Sequence, residues 1–223
     1  MTLKTLKDME RDKGVCNSNM KILNLYAGIG GNRKLWGDEH EITAVEINEE
    51  IAGVYKSLFP KDNVIVGDAH QYLLDHYKEF DFIWSSPPCP THSKMCYSLS
   101  LKTYPSMQMY QEIIFLKSWF KGKWVVENVK PYYEPVVKPS FELARHYFWC
   151  NFEVPKKKFP QIDISRCSPK ELLDFHGIEK PNVKHYRTVV RNMVNPPVGL
   201  HIFECAFKDK QEVQSELQGV QKR

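Results

Sequence analysis

The chain has 223 residues with ordinary apolar (42%) and charged (26%) fractions and a net charge of +4. These values predict a single globular domain and exclude a fibrous or wholly disordered protein. No apolar run reaches the roughly 20 residues that a membrane helix needs. The first residues lack the apolar core of a signal peptide, so we expect no secretion.

The six cysteines are scattered and form no CxxC pair. This usage predicts reduced thiols and a cytoplasmic location, in a bacterial cell or a virus-infected host, with the nucleus as the alternative. Cys89, His92 and Cys96 could be read as metal ligands. A closed zinc site needs four ligands, commonly with paired spacing, so we expect no metal.

Positive charge is concentrated in the second half of the chain. Residues 1–110 carry 12 Lys+Arg against 14 Asp+Glu, and residues 111–223 carry 19 against 13. A basic half suits a polyanionic partner, although solvated lysines explain the same count.

Residues 1–20 are predicted to be a polar extension, and 208–223 a polar tail. Between them, strands and helices alternate from residue 21 onward, which predicts a mostly parallel sheet with helices on both faces. The strands are expected at 22–26, 42–46, 64–66, 81–84 and 124–127, with helices at 49–59, 70–77 and 107–120. Later, a helix at 140–147, an aromatic strand at 148–152, a capping box at Ser168 and Glu171, and a final helix from Pro196 to Phe207 are expected.

Polar motifs follow the predicted strands, where ligands bind in such sheets. Gly28, Gly30 and Gly31 follow the first strand and would let the backbone approach a ligand closely. Glu46 ends the second strand and could accept from ribose hydroxyls; Asp68 follows the third and could accept from an adenine amino group. Each motif alone has an ordinary structural explanation, but together they favour a nucleoside site.

A candidate nucleophile and a candidate acid follow the next two strands. Cys89 lies in Pro87-Pro88-Cys89-Pro90, a loop that its prolines stiffen, after the fourth strand. Glu127 ends the fifth strand, and burial would raise its pKa enough for general acid catalysis. Arg145 is a candidate cation for the same pocket.

The order of these motifs resembles the DNA cytosine-5 methyltransferase family. The resemblance is carried by Tyr26-Ala27-Gly28-Ile29-Gly30-Gly31, Glu46, Asp68, Pro87-Pro88-Cys89 and Glu127-Asn128-Val129, and by two late segments, residues 166–177 and 186–198. It implies a Rossmann-like methyltransferase fold for residues 21–207 and S-adenosylmethionine as cofactor.

The resemblance also implies roles for individual residues. Cys89 would attack carbon 6 of a flipped cytosine, Glu127 would hold or protonate ring nitrogen 3, and Arg145 would assist. The implied cofactor-binding residues are Tyr26, Ala27, Gly28, Gly30, Gly31, Glu46, Ile47, Asp68, Ala69, Pro88, Asn192 and Val194. The expected substrate-binding residues are Ser86, Pro87, Asn128, Lys156, Lys157 and Lys158.

The chain departs from the family in four places. Pro90 replaces a glutamine after the nucleophile, Tyr147 takes the second position of an Arg-x-Arg motif that starts at Arg145, and Arg191 replaces a glycine before Asn192. In addition, only residues 153–165 fill the place of the target-recognition domain. The resemblance implies DNA as partner, in methylation of the restriction–modification kind. The short segment at 153–165 implies recognition that is short or supplied by a separate subunit. The alternatives are a tRNA cytosine-5 methyltransferase and a catalytically idle nucleic-acid-binding or regulatory homologue.

Overall fold

A seven-stranded sheet forms the centre of the molecule, in a computed structural model that describes residues 19–94, 104–163 and 166–207. The strands are β1 (Lys21–Leu25), β2 (Glu41–Glu46), β3 (Asn63–Val66), β4 (Phe82–Ser85), β5 (Lys123–Val129), β6 (Phe141–Leu143) and β7 (His146–Cys150). Their order is β3-β2-β1-β4-β5-β7-β6. The first five run parallel, and β7 lies antiparallel to both β5 and β6.

The strand order reverses between β1 and β4, which pair with Leu25 opposite Ser85. In a doubly wound sheet such a switch point opens a crevice outside the carboxyl ends of the strands, because the connections on its two sides leave in opposite directions. The loops after β1 and β4 therefore meet at one place, and these loops carry the glycine motif and the candidate nucleophile.

Six helices within the described residues cover the sheet: α1 (Glu49–Leu58), α2 (Ala69–His76), α3 (Gln108–Trp119), α4 (Pro169–His176), α5 (Tyr186–Arg191) and α6 (Pro196–Phe207). Side chains cap several of their first turns. Asn48 and Asp68 accept backbone N–H groups of α1 and α2, and Ser168 and Glu171 form the predicted capping box of α4. Such caps fix where each helix begins.

The core consists mainly of two apolar layers, one on each face of the sheet. Ile22 and Phe82 pack with Ile202 and Phe203 of α6 on one face. Alternate strand residues project to the other face, where Leu23, Ile83 and Val126 are among those that pack with α3 and α2; the helical members include Leu73, Ile113 and Leu116. Because both faces are buried, the strands are nearly continuous apolar runs. The structure confirms the predicted α/β Rossmann-like architecture.

The predicted helix at residues 140–147 is wrong. This segment forms β6 and the start of β7, a tight antiparallel hairpin in which Phe141 pairs with Phe148. Ala144 turns the chain with a positive φ of 53°. The rings of Phe141 and Phe148 stack at a centroid distance of 5.0 Å, so burial and sheet pairing outweigh the helix propensity of the Glu-Leu-Ala-Arg stretch.

Two predicted features lie largely outside the described residues: the N-terminal extension, apart from 19 and 20, and the 208–223 tail. Cys16 and Cys96 also lie outside them. Over the part of the chain that the structure covers, no helix is both long and apolar enough to cross a membrane. Between β7 and α4, the described residues 151–163 and 166–168 form no helix or strand.

Candidate active site

A cleft of about 490 Å³ opens at the carboxyl ends of the parallel strands. This volume lies within the usual range for small-molecule sites. Nearly all of the predicted cofactor and catalytic residues line it: Tyr26, Ala27, Gly28, Gly31, Glu46, Ile47, Asp68, Ala69, Ser86, Pro87, Pro88, Cys89, Glu127, Asn128, Arg145, Asn192 and Val194. The fold therefore gathers into one site residues that are up to 168 positions apart in sequence.

The loop after β1 forms one wall of the cleft. Tyr26 and Gly28 both have positive φ angles, 55° and 54°, which turn the chain sharply away from the strand. A Cβ on Gly28 would meet no protein atom within 4 Å, so the backbone here borders open space. This arrangement lets a ligand approach the main chain closely, as the glycine motif predicted.

Glu46 holds this loop against the end of β2. Its Oε2 accepts the Gly28 N–H at 3.0 Å, and its Oε1 accepts the Asn48 N–H at 2.9 Å. A carboxylate can accept further hydrogen bonds on its remaining lone pairs. Glu46 can thus fix the glycine loop and receive ribose hydroxyls at the same time.

Asp68 follows β3 and lies beside the first turn of α2. Its Oδ1 caps the helix by accepting the Gln71 N–H at 3.0 Å. Asp68 and its neighbour Ala69 both line the cleft. The second carboxylate oxygen of Asp68 is chemically suited to the adenine amino group that the sequence predicted.

The C-terminal segment closes the opposite wall. Asn192 ends α5, and its N–H bonds to the carbonyls of Thr188 and Val189. A Cβ on Gly31 would come within 2.5 Å of the Val194 carbonyl oxygen, so only glycine allows this segment to pack so closely on the β1 loop. The sequence did not predict α5, whose six residues are too few to show a clear period.

Cys89 lies in a tight turn after β4. Its carbonyl accepts the N–H groups of His92 and Ser93, each at 3.0 Å. Asn128, at the end of β5, donates its amide to the Pro87 carbonyl at 2.9 Å. The half-buried thiol is therefore carried on a loop that is stiffened by prolines and fastened to the neighbouring strand.

Glu127 is buried near the same end of the cleft, with 6% of its surface exposed. Burial raises its pKa to about 7, although a hydrogen bond from Ser86 and the positive charge of Arg145 oppose the shift. Its Oε2 has no hydrogen-bond partner among the described residues. Near neutral pH the carboxyl group is thus substantially protonated, with one oxygen available to a ligand.

Arg145, at the tip of the β6–β7 hairpin, lies within electrostatic range of both Glu127 and Cys89. It also donates to the Arg191 carbonyl, which ties the hairpin to the C-terminal segment. Its charge can favour a thiolate at Cys89, because a nearby cation stabilises the anionic form of a thiol.

The neighbour that enters the cleft beside Arg145 is His146 and not Tyr147. His146 Nε2 lies 3.8 Å from Glu127 Oε2, and burial lowers its pKa to about 3. Tyr147 packs in the apolar layer near Trp149, with ring centroids 6.4 Å apart. Side chains alternate between the faces of a strand, so Tyr147, which holds the second position of the Arg-x-Arg motif, lies on the face away from the cleft.

Sequence reasoning missed two buried polar residues, His146 and Glu112. Glu112 is fully buried on α3 and accepts hydrogen bonds from Tyr26 and Ser85. A glutamate directly before the apolar run of residues 113–116 in the predicted helix is the signal that could have revealed it, because a charged group is rarely buried without partners.

Four predicted binding residues do not line the cleft. Gly30 lies beneath the loop, where a Cβ would come within 2.3 Å of the Phe59 ring. Lys156, Lys157 and Lys158 are exposed on the segment after β7, and Lys157 lies over the Phe159 ring at 5.6 Å.

Within the described residues, no group of three or more His, Cys, Asp or Glu side chains could hold a metal. Cys89, Cys150, Cys167 and Cys205 are not in disulfides. Cys96, the third residue of the metal interpretation, lies outside the described residues.

Residues 20–137 match the family described as C-5 cytosine-specific DNA methylase. The match covers more than half of the chain and includes the glycine loop, both cofactor carboxylates, Cys89 and Glu127. The chain belongs to this family. The resemblance that the motifs indicated is thereby confirmed, and membership identifies S-adenosylmethionine as the cofactor.

Among similar proteins is a tRNA (cytosine(38)-C(5))-methyltransferase of Spodoptera frugiperda, 39% identical over 75 residues that cover 31% of this chain and 23% of the insect protein. A crystal structure of a mutant Spodoptera frugiperda DNMT2 matches at 31% identity and a TM-score of 0.39, over 51% of this chain and 36% of that one. A SAM-dependent methyltransferase from Agrobacterium tumefaciens matches at 13% identity and a TM-score of 0.38, over 52% and 41%. The chain thus spans less than half the length of each of these relatives.

The residues of this family member fit S-adenosylmethionine. Three features of the cleft suit a nucleoside with an amino-acid tail: a glycine loop that borders open space, and the Glu46 and Asp68 carboxylates at neighbouring strand ends. The cofactor supplies a methyl group activated by a sulfonium. Glu46 and Asp68 would bind its ribose and adenine, and Asn192 and Val194 would close the site.

Proposed function

We propose that this chain methylates carbon 5 of cytosine in DNA, with Cys89 as the covalent nucleophile and Glu127 as the general acid. The observation that supports the proposal is that both side chains line one cleft, together with Arg145 and the cofactor-binding loops. An idle homologue would have no need for a nucleophile, an acid with a raised pKa and a cofactor site in one place.

In this mechanism Cys89 attacks carbon 6 of the cytosine as a thiolate, and the ring electrons move toward nitrogen 3. Glu127, with a pKa of about 7, donates its proton there, so that negative charge does not accumulate on the ring. Carbon 5 becomes nucleophilic and takes the methyl group. Glu127 then takes the nitrogen 3 proton back, and loss of the carbon 5 proton to water re-forms the double bond between carbons 5 and 6 and expels the thiolate of Cys89.

The cytosine must leave the base stack to reach Cys89, because the reacting carbons are inaccessible inside a duplex. Arg145 serves the reaction by stabilising the thiolate before attack and after expulsion. Asn128 and Ser86 hold the loop and the acid in place through Pro87 and Glu127 respectively.

DNA is the preferred substrate because the matching family is described as acting on it. The second candidate is tRNA, which is the substrate named for the insect relative. The short segment between β7 and α4 offers few side chains for base-edge readout. Recognition in DNA is therefore short, or a separate subunit supplies it.

The test is methyl transfer from labelled S-adenosylmethionine to duplex DNA, single-stranded DNA or tRNA by the purified full chain. Labelled 5-methylcytosine in either DNA supports the proposal, and bisulfite sequencing then defines the site. Methylation of tRNA alone would move the assignment to the second candidate. No transfer to any of the three contradicts both.

The nucleophile is tested with DNA that contains 5-fluorocytosine. Fluorine replaces the proton that must leave, so wild type should be trapped as a stable covalent adduct, and Cys89→Ser should not. Cys150→Ser is the matched control, since Cys150 is also partly buried but does not line the cleft. Equal trapping by Cys89→Ser would show that another residue attacks the base.

A further inference from the structure

Beneath the cofactor end of the cleft, a single buried carboxylate joins elements that are distant in sequence. Glu112, on α3, has none of its surface exposed. Its Oε1 accepts the Tyr26 hydroxyl at 2.5 Å and contacts His70 Nδ1 at 3.0 Å, and its Oε2 accepts the Ser85 hydroxyl at 2.6 Å. Burial of a carboxylate is costly unless donors compensate it, and here three do.

We propose that Glu112 is a positioning residue that sets the geometry of the cofactor cleft through Tyr26, His70 and Ser85. The three partners come from the β1 loop, the first turn of α2 and the end of β4. Tyr26 lines the cleft itself. The other two are next to residues that line it, since His70 follows Ala69 and Ser85 precedes Ser86. The inference rests on the proposed function, because it concerns the site where the methyl donor binds.

The contact with Tyr26 holds a residue whose backbone conformation is unfavourable. Tyr26 has a φ of 55°, which a side chain other than glycine adopts only when its surroundings hold it there. The hydroxyl bond to Glu112 ties down the far end of the side chain. The Tyr26 main chain leads directly into Ala27 and Gly28, so this bond fixes the start of the glycine loop.

The contact with Ser85 links the cofactor end to the reacting end. Ser86 directly follows the last residue of β4, and successive residues of extended chain point to opposite faces, so when Glu112 holds Ser85 on the α3 face, Ser86 projects to the other. Ser86 is the residue that hydrogen-bonds to Glu127, and its oxygen also accepts the Trp84 indole N–H at 2.9 Å. One carboxylate thereby orients both the glycine loop and the end of β4, next to the residue that hydrogen-bonds to the acid.

The contact with His70 adds charge to the arrangement. The groups that face His70 are Glu112 on α3 and Asp68 at the start of α2, and both are acidic. Mainly because of the hydrogen bond to Glu112, the pKa of His70 is raised above its usual value. A protonated His70 would balance the buried charge, and its titration reports on the network independently of catalysis.

The decisive variant is Glu112→Gln, which keeps the size of the side chain but removes its charge and one acceptor oxygen. Hydrogen bonds to a neutral group are roughly half as strong as those to a carboxylate, so we expect about 10-fold weaker binding of S-adenosylhomocysteine. Calorimetry on the full chain measures this affinity. The matched control is Glu79→Gln, because Glu79 is an exposed glutamate that also contacts a histidine, His76, at 2.8 Å. This control protein should bind S-adenosylhomocysteine as wild type does.

A second readout is the NMR titration of His70. Its pKa should fall in Glu112→Gln and stay unchanged in Glu79→Gln. A double variant with Tyr26→Phe should lose less affinity than the two single changes together, because Glu112→Gln weakens the same hydrogen bond that Tyr26→Phe removes. If wild type does not bind S-adenosylhomocysteine, the proposed function fails, and the His70 titration still tests the network.

Wild-type affinity in Glu112→Gln would overturn the positioning role, as would an unchanged pKa of His70. If that variant does not fold, Tyr26→Phe removes one contact and keeps the aromatic ring in place. Tyr26→Phe should also weaken cofactor binding, and its unfolding temperature should stay above the temperature of the assay. Unchanged affinity in the folded Tyr26→Phe protein would then overturn the proposal.

Discussion

Two buried glutamates with opposite surroundings lie near the two ends of the cleft, Glu112 beneath its cofactor end and Glu127 in the wall of its reacting end. At the cofactor end, Glu112 has three hydrogen-bonding partners within 3.0 Å. At the reacting end, Glu127 has an oxygen without a hydrogen bond in the described structure, and the nearest histidine, His146, lies 3.8 Å from it. Glu112 lies on α3 and Glu127 on β5, and both side chains are almost fully buried.

This difference shows how one fold assigns two roles to one residue type. Where donors surround a carboxylate, it acts as an acceptor that fixes loops in place. Where burial is not matched by donors, protonation becomes easier, and the pKa of Glu127 rises to about 7. His146 contributes to this because its own pKa is lowered to about 3 by burial, so it brings no positive charge to Glu127 at neutral pH.

The largest expected effect is on catalysis by Glu127. Glu127→Gln removes the proton donor, so the rate of methyl transfer should fall by about 10²–10⁴-fold. Wild type should also lose activity as the pH rises above about 7, since the acid is then ionised. The measurement is the initial rate of methyl transfer as a function of pH. The control is Glu142→Gln, because Glu142 is an exposed glutamate on β6. A variant that retains both the rate and the high-pH decline would exclude Glu127 as the acid.

The same substitution should change how stability depends on pH. The folded-state pKa of Glu127 is raised. The contribution of this group to the stability of the folded state is therefore fully present below about pH 4.5 and is lost as the pH rises through about 7. The free energy of unfolding of Glu127→Gln, measured relative to that of wild type, should therefore be up to about 3 kcal/mol higher above pH 8 than at pH 4. Urea unfolding at the two pH values measures this. An equal difference at both would mean that the carboxyl group is not perturbed.

The cofactor end should be sensitive to Glu46 and Asp68. Glu46→Ala and Asp68→Ala should each weaken binding of S-adenosylmethionine about 10- to 150-fold, because each removes a charged acceptor. The Glu46 change should have the larger effect, since it also releases the Gly28 N–H. Calorimetry with both variants and with Glu153→Ala, an exposed control outside the cleft, tests this. Unchanged affinity in both variants would show that the cofactor binds elsewhere.

The smallest effect is expected outside the cleft, at Lys156, Lys157 and Lys158. Lysines contact phosphates without reading sequence, so changing all three to Gln should weaken DNA binding similarly across sequences. It should also lower the salt slope by up to about 3, near 0.9 per phosphate contact. Lys117, Lys121 and Lys123 are the matched control, since they are equally exposed and are grouped near the amino end of β5. An unchanged slope would mean that the loop lysines only keep the segment soluble.

Much of the first half of the fold was predictable because its signals are local. β1 to β5 are short apolar runs. Glu46 and Glu127 lie inside the ends of β2 and β5, and the motifs of β1, β3 and β4 begin within two residues of the strand end. Burial of both faces makes such runs distinct from the helices between them. The same locality made Cys89, Glu46 and Asp68 recognisable as candidates.

The second half was predicted less well because its structure depends on distant contacts. The segment around Arg145 has helix-forming residues, yet pairing with β5 makes it a hairpin. The cleft residue next to Arg145 could not be identified without the register that places His146 opposite Val129 and on the face of Glu127. A shift of one residue reverses the face of every side chain in a strand, so the neighbour of Arg145 that enters the cleft is known only once the register is known.

The sequence by itself determined the fold class, the family and the identity of the nucleophile, the acid and the cofactor carboxylates as candidates. These follow from residue types at fixed positions relative to strands, and that spacing is a local property of the chain. The tertiary structure alone decided which buried groups act on one another: Glu112 with Tyr26, and His146 with Glu127. Those pairs join elements whose separation in space depends on sheet order and register, and the sequence does not encode these in any local pattern.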